Sequence, residues 1–313
     1  MHLAEQHAAL PSLDRKRFYH LREYAFLALL LSCSISYHSL VGLVQLSQAP
    51  EYSYIAIVLP ITAVLVYIER ASIFREQHSA LHFGIVVMGT AAMVTALVRV
   101  GAIGVKTEYA LPVSILLLVT LWIGGFCGCF GLPAARRALF PLLFLYLLVP
   151  IPEAIMARIV FALQHASADV ASAFYGVAGV PVMRLGQVFV LSNQRIEVAA
   201  ECSGIRSSIA LFITGLLFSH LFLRRNWSKV LLIAGIVPLA VFKNGLRIFT
   251  LSVLANYVDP RFLTGPLHHN GGVFFFSVAL GVLVLLLLAL RRFETSRTKT
   301  VRQAVPAVVS SAR

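Results

Sequence analysis

The chain has 313 residues, of which 59% are hydrophobic and only 12% are charged. Soluble globular domains carry about 25% charged residues, so this composition predicts a protein that resides in a membrane rather than in water. The formal net charge of +13 does not indicate a nucleic-acid partner, because the basic residues cluster at the ends of apolar runs, as membrane topology requires.

Eight apolar runs follow one another along the chain, and each is predicted to be a transmembrane helix. They cover residues 24–46, 52–68, 81–98, 110–130, 138–151, 203–223, 230–254 and 273–290. A basic arm over 1–23 precedes the first run, which is too long for the apolar core of a cleaved signal peptide. A polar tail over 294–313, predicted to be disordered, follows the last. Residues 24–293 are therefore expected to form one membrane domain.

The stretch between the fifth and sixth runs has a different character. From Glu153 to Tyr175 polar residues recur at helical spacing, which predicts an amphipathic helix on the membrane surface or over the bundle. Beyond Pro181 the hydrophobic period is two, which predicts a β-hairpin with strands at 187–191 and 195–199. The predicted fold class is thus an all-α polytopic membrane protein of about eight transmembrane helices. A small extracytoplasmic amphipathic helix and a β-hairpin are inserted before the sixth span.

The distribution of Lys and Arg predicts the orientation of the chain. With eight spans both termini lie on one side, and that side carries 17 Lys and Arg residues against 7 on the other. The positive-inside rule then places both termini in the cytoplasm. The 153–205 region and the 255–272 loop are consequently expected on the extracytoplasmic face, in a bacterial inner membrane.

Four cysteines are present, and three of them, Cys33, Cys127 and Cys129, fall within predicted spans. We interpret these three as small helix-packing residues. Cys202 instead stands where a polar segment meets the sixth span, and Arg206 follows four residues later on what is predicted to be the same helical face. A helix N-terminus and a nearby cation favour the thiolate, so Cys202 is a candidate nucleophile. The alternative is an inert cysteine.

Cationic candidates occur in the seventh span and beside the eighth. Arg247 lies inside the seventh span, where a charge costs a few kcal/mol, and it is suited to bind the oxyanion of a tetrahedral intermediate. Snorkelling to the interface is the alternative. Asn244 lies one turn away, whereas Lys243 is interpreted as a merely tolerated charge. His268 and His269 precede the eighth span and are candidate acid–base groups.

Three motifs resemble those of the exosortase/archaeosortase family. They are Glu-Cys-Ser-Gly-Ile-Arg-Ser at 201–207, Asn-Gly-Leu-Arg-Ile at 244–248 and Leu-His-His-Asn-Gly-Gly-Val-Phe-Phe-Phe at 267–276. The resemblance implies a membrane cysteine transpeptidase. Its substrates would be exported proteins with a C-terminal sorting signal, made of a short motif such as Pro-Glu-Pro, a membrane helix and a basic cluster.

The same resemblance implies a role for individual residues. Cys202 is the implied nucleophile, Arg247 the stabiliser of the transition state and His268 the acid–base group, with His269 as an alternative. The supporting residues around them are Glu201, Ser203, Arg206 and Asn244. Glu201 either orients a histidine or Arg206, or only caps the helix.

Two other functions stay open from the residues alone. A transporter or channel is one, with Arg247 and Lys243 binding an anionic substrate, although the hairpin and the single thiol have no use in that scheme. A metal-dependent protease is the other, but no His-Glu-x-x-His pattern is present. Its candidate ligands are His268, His269, His165, Asp169 and Glu201. We predict no cofactor and no metal; the expected partners are exported proteins and the lipid bilayer.

Overall fold

The computed structural model describes residues 23, 24, 26, 27, 30, 36–75, 80–198, 203–263 and 266–310, and the side chains of all of these except 263–271 and 296–310. The chain divides into two compact units, Met1–Glu153 and Ala154–Arg313. The sequence predicts one membrane domain over 24–293, and both units contribute to that range. All of the candidate catalytic and supporting residues belong to the second unit.

The first unit is helical over most of its described length. Its α-helices are α1 (36–46), α2 (Ile55–Ile73), α3 (Leu81–Arg99), α4 (Thr107–Arg137) and α5 (Leu139–Phe144). Gly131 interrupts α4 with a φ of 85°, a value that glycine adopts without steric cost. The predicted end of the fourth span at residue 130 coincides with this break.

Helices α3 and α4 pack through glycines. A Cβ atom added to Gly84 would lie 2.5 Å from the Cα atom of Gly128 and 2.9 Å from the carbonyl oxygen of Gly124. Small residues allow helix backbones to approach closely in a membrane, where van der Waals packing replaces the hydrophobic effect as the force between helices. Cys127 is buried beside Gly128 in this region of α4, as expected for a packing residue.

The second unit begins with a long helix and a small sheet. Helix α6 covers Glu153–Ala178, and it is followed by strands β1 (Met183–Leu185), β2 (Val188–Val190) and β3 (Arg195–Glu197). The strands form an antiparallel sheet in the order β1-β2-β3, in which Phe189 pairs with both Arg184 and Ile196. The sequence predicts only two strands here. Strands β2 and β3 lie within longer runs of strand character, 187–191 and 195–199, whereas β1 is confined between Pro181 and Gly186.

Three helices complete the second unit: α7 (Ile205–Phe222), α8 (Asn226–Tyr257) and α9 (Pro266–Ser310). Leu211 of α7, Ile236 of α8 and Leu283 of α9 belong to one buried apolar cluster, so the three helices share a core. A second cluster joins Tyr175 of α6 and Phe189 of β2 with Ile248 of α8. The sheet and the helices around it therefore share buried apolar contacts.

Within the part of the chain that the structure describes, six helices are long and apolar enough to cross a membrane. They correspond to the second, third, fourth, sixth, seventh and eighth predicted spans. The first predicted span lies partly outside the described residues, and α1 (36–46) covers its second half. The fifth, predicted over 138–151, is not a span by itself: α5 and the 3-10 turn Leu145–Leu148 are short, and Pro150 and Pro152 follow. A seventh span results if Leu139–Leu148 and Glu153–Ala178 are counted together.

Helix α9 is longer at both ends than the sequence predicts. It starts at Pro266, so the histidine pair lies in its first turn rather than in a loop before it. It also continues to Ser310, through residues predicted to be a disordered tail. Adding residues to an existing helix avoids the cost of nucleation, which explains how a polar extension follows a strongly apolar helix.

Candidate active site

Buried hydrogen bonds flank the cysteine of the first motif on both sides. Cys202 and Glu201 lie outside the described residues, between Val198 and Ser203. The Gln164 amide of α6 donates to the Val198 carbonyl oxygen at 2.9 Å, and the Asn244 amide of α8 donates to the Ser203 carbonyl oxygen at 3.1 Å. Because all four residues are buried, the chain is fixed just before and just after the segment that contains the cysteine.

Gly204 forms a left-handed turn between this segment and α7. Its φ is 72°, a conformation that costs other residues roughly 1–2 kcal/mol. A Cβ atom at this position would also lie 2.8 Å from the Asn244 side-chain oxygen. Both the backbone angle and the closeness of α8 therefore require glycine after Cys-Ser, which gives a structural reason for this part of the motif.

The helix that follows begins later than predicted. Its first residue is Ile205, three positions after Cys202, and the Ile205 amide donates to the Ser203 hydroxyl at 3.3 Å. Because α7 begins only one residue before Arg206, the predicted helical face shared by Cys202 and Arg206 has no counterpart among the described residues. Arg206 is exposed in the first turn of α7.

The second motif supplies contacts on consecutive residues of α8. Asn244 is 1% exposed and holds Ser203, as described above. Gly245 packs against α6, since a Cβ atom there would lie 2.6 Å from a Val170 methyl carbon and 3.0 Å from the Ser167 carbonyl oxygen. Arg247 is partly buried and lies three residues, or nearly one turn, after Asn244. The helix thus brings Arg247 into the neighbourhood of the residue that follows Cys202.

Arg247 lies deeper along its helix than the sequence predicts. Helix α8 ends at Tyr257, ten residues beyond Arg247, which corresponds to about 15 Å at 1.5 Å per residue. The predicted span ended at residue 254. The helix therefore extends three residues beyond the predicted end of the span.

Sequence reasoning missed Lys243 and Ser207 as partners. Lys243 of α8 is 5% exposed, and its ammonium donates a hydrogen bond to the Ser207 hydroxyl of α7. The signal was present in the sequence, because both residues adjoin or belong to the motifs and a lysine within a span is itself unusual. Gln164 was also missed; it is one of the polar residues that interrupt the apolar face of α6.

The histidines are placed only by their backbone. His268 and His269 lie in the first turn of α9, and their side chains lie outside the described residues. Helix α9 packs against α7 and α8, the two helices that carry the cysteine and arginine motifs. All three motifs therefore belong to one group of packed helices.

Two of the candidate metal ligands have other partners. The Asp169 carboxylate accepts a hydrogen bond from the Arg184 guanidinium at 2.7 Å, and the His165 ring nitrogen Nδ1 lies 3.4 Å from the Gln187 amide. These contacts link α6 to β1 and to the turn before β2. Among the side chains that the structure describes, no three His, Cys, Asp or Glu residues are grouped to hold a metal ion.

The turn between β2 and β3 is attached to the end of α8. The Asn193 backbone amide donates to the Asn256 side-chain oxygen at 3.1 Å, and the Gln194 side-chain amide donates to the Ala255 carbonyl oxygen at 3.4 Å. This attachment fixes the sheet next to the helix that carries Arg247. In the sequence, Cys202 follows Glu197, the last residue of β3, by five positions.

Comparison with known proteins gives a family assignment. Residues 46–285 match the family model described as "Transmembrane exosortase (Exosortase_EpsH)", and this range contains all three motifs. No curated protein and no solved structure gave a significant match. The match covers well over half of the chain and spans both structural units, so the protein belongs to the transmembrane exosortase family.

Proposed function

We propose that this protein is a membrane-embedded cysteine transpeptidase that cleaves a C-terminal sorting signal from exported proteins. The observation that carries the proposal is the hydrogen bond between the Asn244 amide and the Ser203 carbonyl. It joins the residue after Cys202 to the helix that bears Arg247, and so supports a shared site for the two motifs. Family membership supports the class of reaction.

The proposed reaction is acyl transfer through a thioester. The Cys202 thiolate attacks the scissile carbonyl carbon, and Arg247 stabilises the oxyanion that forms on the carbonyl oxygen. As the carbon–nitrogen bond breaks, His268, or alternatively His269, donates a proton to the leaving amine. The substrate's membrane helix and basic tail depart with that amine. A second nucleophile then takes the acyl group from sulfur and gives its proton to the histidine, which restores the thiolate and the protonated histidine.

The fixed surroundings of Cys202 suit this chemistry. A catalytic group must be held close to its productive geometry, and misplacement by about 1 Å can cost on the order of 10²-fold in rate. Gln164 and Asn244 bind the backbone on either side of the cysteine, and Gly204 completes the turn. A merely packed cysteine needs no such set of buried hydrogen bonds.

The substrate class also suggests an orientation in the membrane. We propose that both termini are cytoplasmic and that the site opens on the extracytoplasmic face of the inner membrane, as the distribution of Lys and Arg indicates. An exported protein reaches that face after translocation, while its membrane helix stays in the bilayer. The proposed partners are therefore such exported proteins together with the lipid bilayer itself.

The decisive experiment is co-expression with a tagged candidate substrate, chosen as an exported protein of the same genome that ends in a short motif, a membrane helix and a basic cluster. Cys202→Ala is expected to abolish processing, because the thioester cannot form. Arg247→Lys is expected to reduce it on the order of 10²-fold, since a lysine does not reproduce the fixed guanidinium geometry.

Cys33→Ala and treatment with a chelator serve as controls, and both are expected to leave processing intact. Full processing by the Cys202→Ala variant would refute the proposal. Loss with the chelator alone would favour a metal-dependent protease. A transporter or channel predicts that none of these variants changes the length of the tagged protein.

Strand β3 offers a way to align the substrate. It is an edge strand of the sheet. At its two ends the Leu191 amide donates to the Gln194 carbonyl and the Val198 amide donates to the Gln187 carbonyl. Because hydrogen-bonded pairs alternate in an antiparallel ladder, the backbone groups of Arg195 and Glu197 point away from β2. We propose that the extended segment before the substrate's membrane helix adds to this edge. Cys202 follows Glu197 by five residues in the sequence, and strand addition at this edge is proposed to bring the scissile bond to the thiol.

Proline substitution at Glu197 tests strand addition. Glu197→Pro removes an amide that does not bond to β2, so the sheet is expected to persist while the substrate KM rises on the order of tenfold through the lost hydrogen bond. Glu197→Ala keeps the amide and should raise KM much less. Equal effects of the two variants would contradict the idea. Asn193 is unsuitable for this test because its amide already binds Asn256.

A further inference from the structure

Lys243 is an ionisable residue that the proposed reaction leaves without a role. It lies 17 residues after Asn226, the first residue of α8, which corresponds to about 26 Å along the helix, and it is 5% exposed. An intramembrane charge at such a depth costs at least a few kcal/mol and is usually functional. A second cation, Arg247, follows one turn later, and like charges at this spacing disfavour each other.

The hydrogen bonds of Lys243 lead to the cysteine motif. Its ammonium has only hydrogens to donate, so Ser207 accepts the bond between them. The Ser207 hydroxyl keeps its own hydrogen and donates it to the Gly204 carbonyl oxygen at 3.0 Å. The chain of contacts therefore has one direction: from the ammonium, through the serine hydroxyl, to the carbonyl of the left-handed turn.

Lys243 and Asn244 together bind two consecutive peptide units. Asn244 binds the Ser203 carbonyl directly, and Lys243 reaches the Gly204 carbonyl through Ser207. Two neighbouring residues of α8 thus contribute to holding both carbonyls that follow Cys202, although the Gly204 carbonyl also accepts from the Ser208 amide at 2.9 Å and from the Ser208 hydroxyl at 2.8 Å. A charged donor makes the stronger type of hydrogen bond, which gives the buried ammonium an advantage over a neutral side chain at this position.

We propose that Lys243 is a positioning residue for the reaction at Cys202, and that it acts by orienting the Ser207 hydroxyl and, through it, the Gly204 turn. The inference rests on the proposed function of Cys202. Lys243 itself touches neither the substrate nor the reacting atoms. The charge of Lys243 strengthens its hydrogen bond to Ser207, and this bond helps to hold the turn in one geometry.

The test is a double-mutant cycle on the full-length protein, with the tagged substrate that shows Cys202-dependent cleavage as the probe. Lys243→Met and Ser207→Ala are each expected to lower kcat by roughly 10- to 100-fold, as misplacement of a catalytic group does. KM should change little, because substrate binding is not involved. The double variant should be no slower than the single ones, since both break the same chain.

Two further variants separate positioning from a structural role. Ser207→Thr keeps a hydroxyl and is expected to recover most of the activity. Ser219→Ala removes another buried hydroxyl of α7, one that bonds only within its own helix, and should leave kcat unchanged. Lys243→Met should not lower the thermal midpoint, because removing a buried charge relieves its desolvation cost.

The outcomes distinguish this inference from the proposed function. If no substrate is cleaved in a Cys202-dependent way, the proposed function fails. If cleavage depends on Cys202 but Lys243→Met keeps the wild-type kcat, or if the losses in the double variant are additive, the positioning role is refuted. A rise in KM alone would assign Lys243 to substrate binding and would also refute it.

Discussion

The α3–α4 pair of the first unit and the α7–α8 pair of the second both bring helices into close contact, but they use different groups. In the first pair, backbone meets backbone at Gly84 and Gly128. In the second pair, side chains of α8 bind the turn before α7 and the first turn of α7 itself, through Asn244 and Lys243. The first pair contains two cysteines, and the second follows the one that we propose to be catalytic.

The difference shows how contact chemistry separates stability from activity. Glycine contacts stabilise a helix pair through dispersion, which depends on close approach and does not require any polar group to point in one direction. Buried amide and ammonium donors must find acceptors, so they select one orientation of the backbone they bind. We therefore expect substitutions in the first pair to lower the free energy of unfolding, and substitutions in the second pair to lower activity more than stability.

Among substitutions in the two helix pairs, the largest effect on activity is expected for Gly204→Ala. The new Cβ atom would meet the Asn244 side-chain oxygen at 2.8 Å, and the left-handed backbone would be strained as well. Processing of the tagged substrate should fall on the order of 10²-fold, because the turn after Cys202 shifts.

Gly101→Ala is the matched control for Gly204→Ala. Gly101 also has a positive φ, 75°, but nothing lies within 4 Å of a Cβ atom there, so only the backbone strain is added. Its effect on processing should be negligible. Similar losses of processing in the two variants would show that strain alone, rather than contact with α8, explains the requirement for glycine.

An intermediate effect, on stability rather than activity, is expected for Gly84→Ala. The Cβ atom would lie 2.5 Å from backbone of the neighbouring helix, and overpacking of this kind costs about 1–3 kcal/mol. The thermal midpoint should fall, while processing per folded molecule should not change.

Gly89→Ala tests the same substitution in the same helix without the contact. Nothing lies within 4 Å of a Cβ atom at Gly89, and alanine favours the helix over glycine by up to about 1 kcal/mol. Its thermal midpoint should be unchanged or higher. If Gly84→Ala instead reduced processing per folded molecule, the division between packing and activity would be wrong.

The smallest effect is expected when Cys127 and Cys129 are both replaced by alanine. Cys127 is buried in α4 and Cys129 partly so, and loss of their sulfur atoms should change the free energy of unfolding by about 1 kcal/mol or less. Processing should be retained, in contrast to Cys202→Ala. Loss of processing in this variant would reassign the nucleophile.

The sequence predicts the spans well because hydropathy measures directly what lipid requires of a helix. Six predicted spans appear as helices of suitable length. The fifth does not, because a run of 14 apolar residues next to Pro150 and Pro152 forms only short helical turns. Strand β1 was missed because turn-forming residues, Pro181 and Gly186, confine it on both sides, whereas β2 and β3 lie within longer runs. Helix α9 begins earlier than predicted because polar histidines are compatible with a first helical turn.

The site was only partly accessible from the sequence. The motifs identified Cys202 and Arg247 as candidates, but they did not reveal that Asn244 binds the Ser203 carbonyl or that Lys243 binds Ser207. Such pairs join residues about 40 positions apart, and local patterns contain no information on which of them meet. The beginning of α7 at Ile205 was missed for a local reason: the left-handed turn at Gly204 starts the helix two residues after the predicted start at residue 203.

The hydrogen bond from Asn244 to Ser203 has a consequence for how the enzyme is made. Its two residues are separated by 41 positions, so a ribosome that has just released the cysteine motif has not yet synthesised the amide that holds it. The turn after Cys202 can acquire its final geometry only when α8 has been inserted beside α7. The proposed thiol thus becomes competent late in synthesis, after most of the chain is already in the membrane.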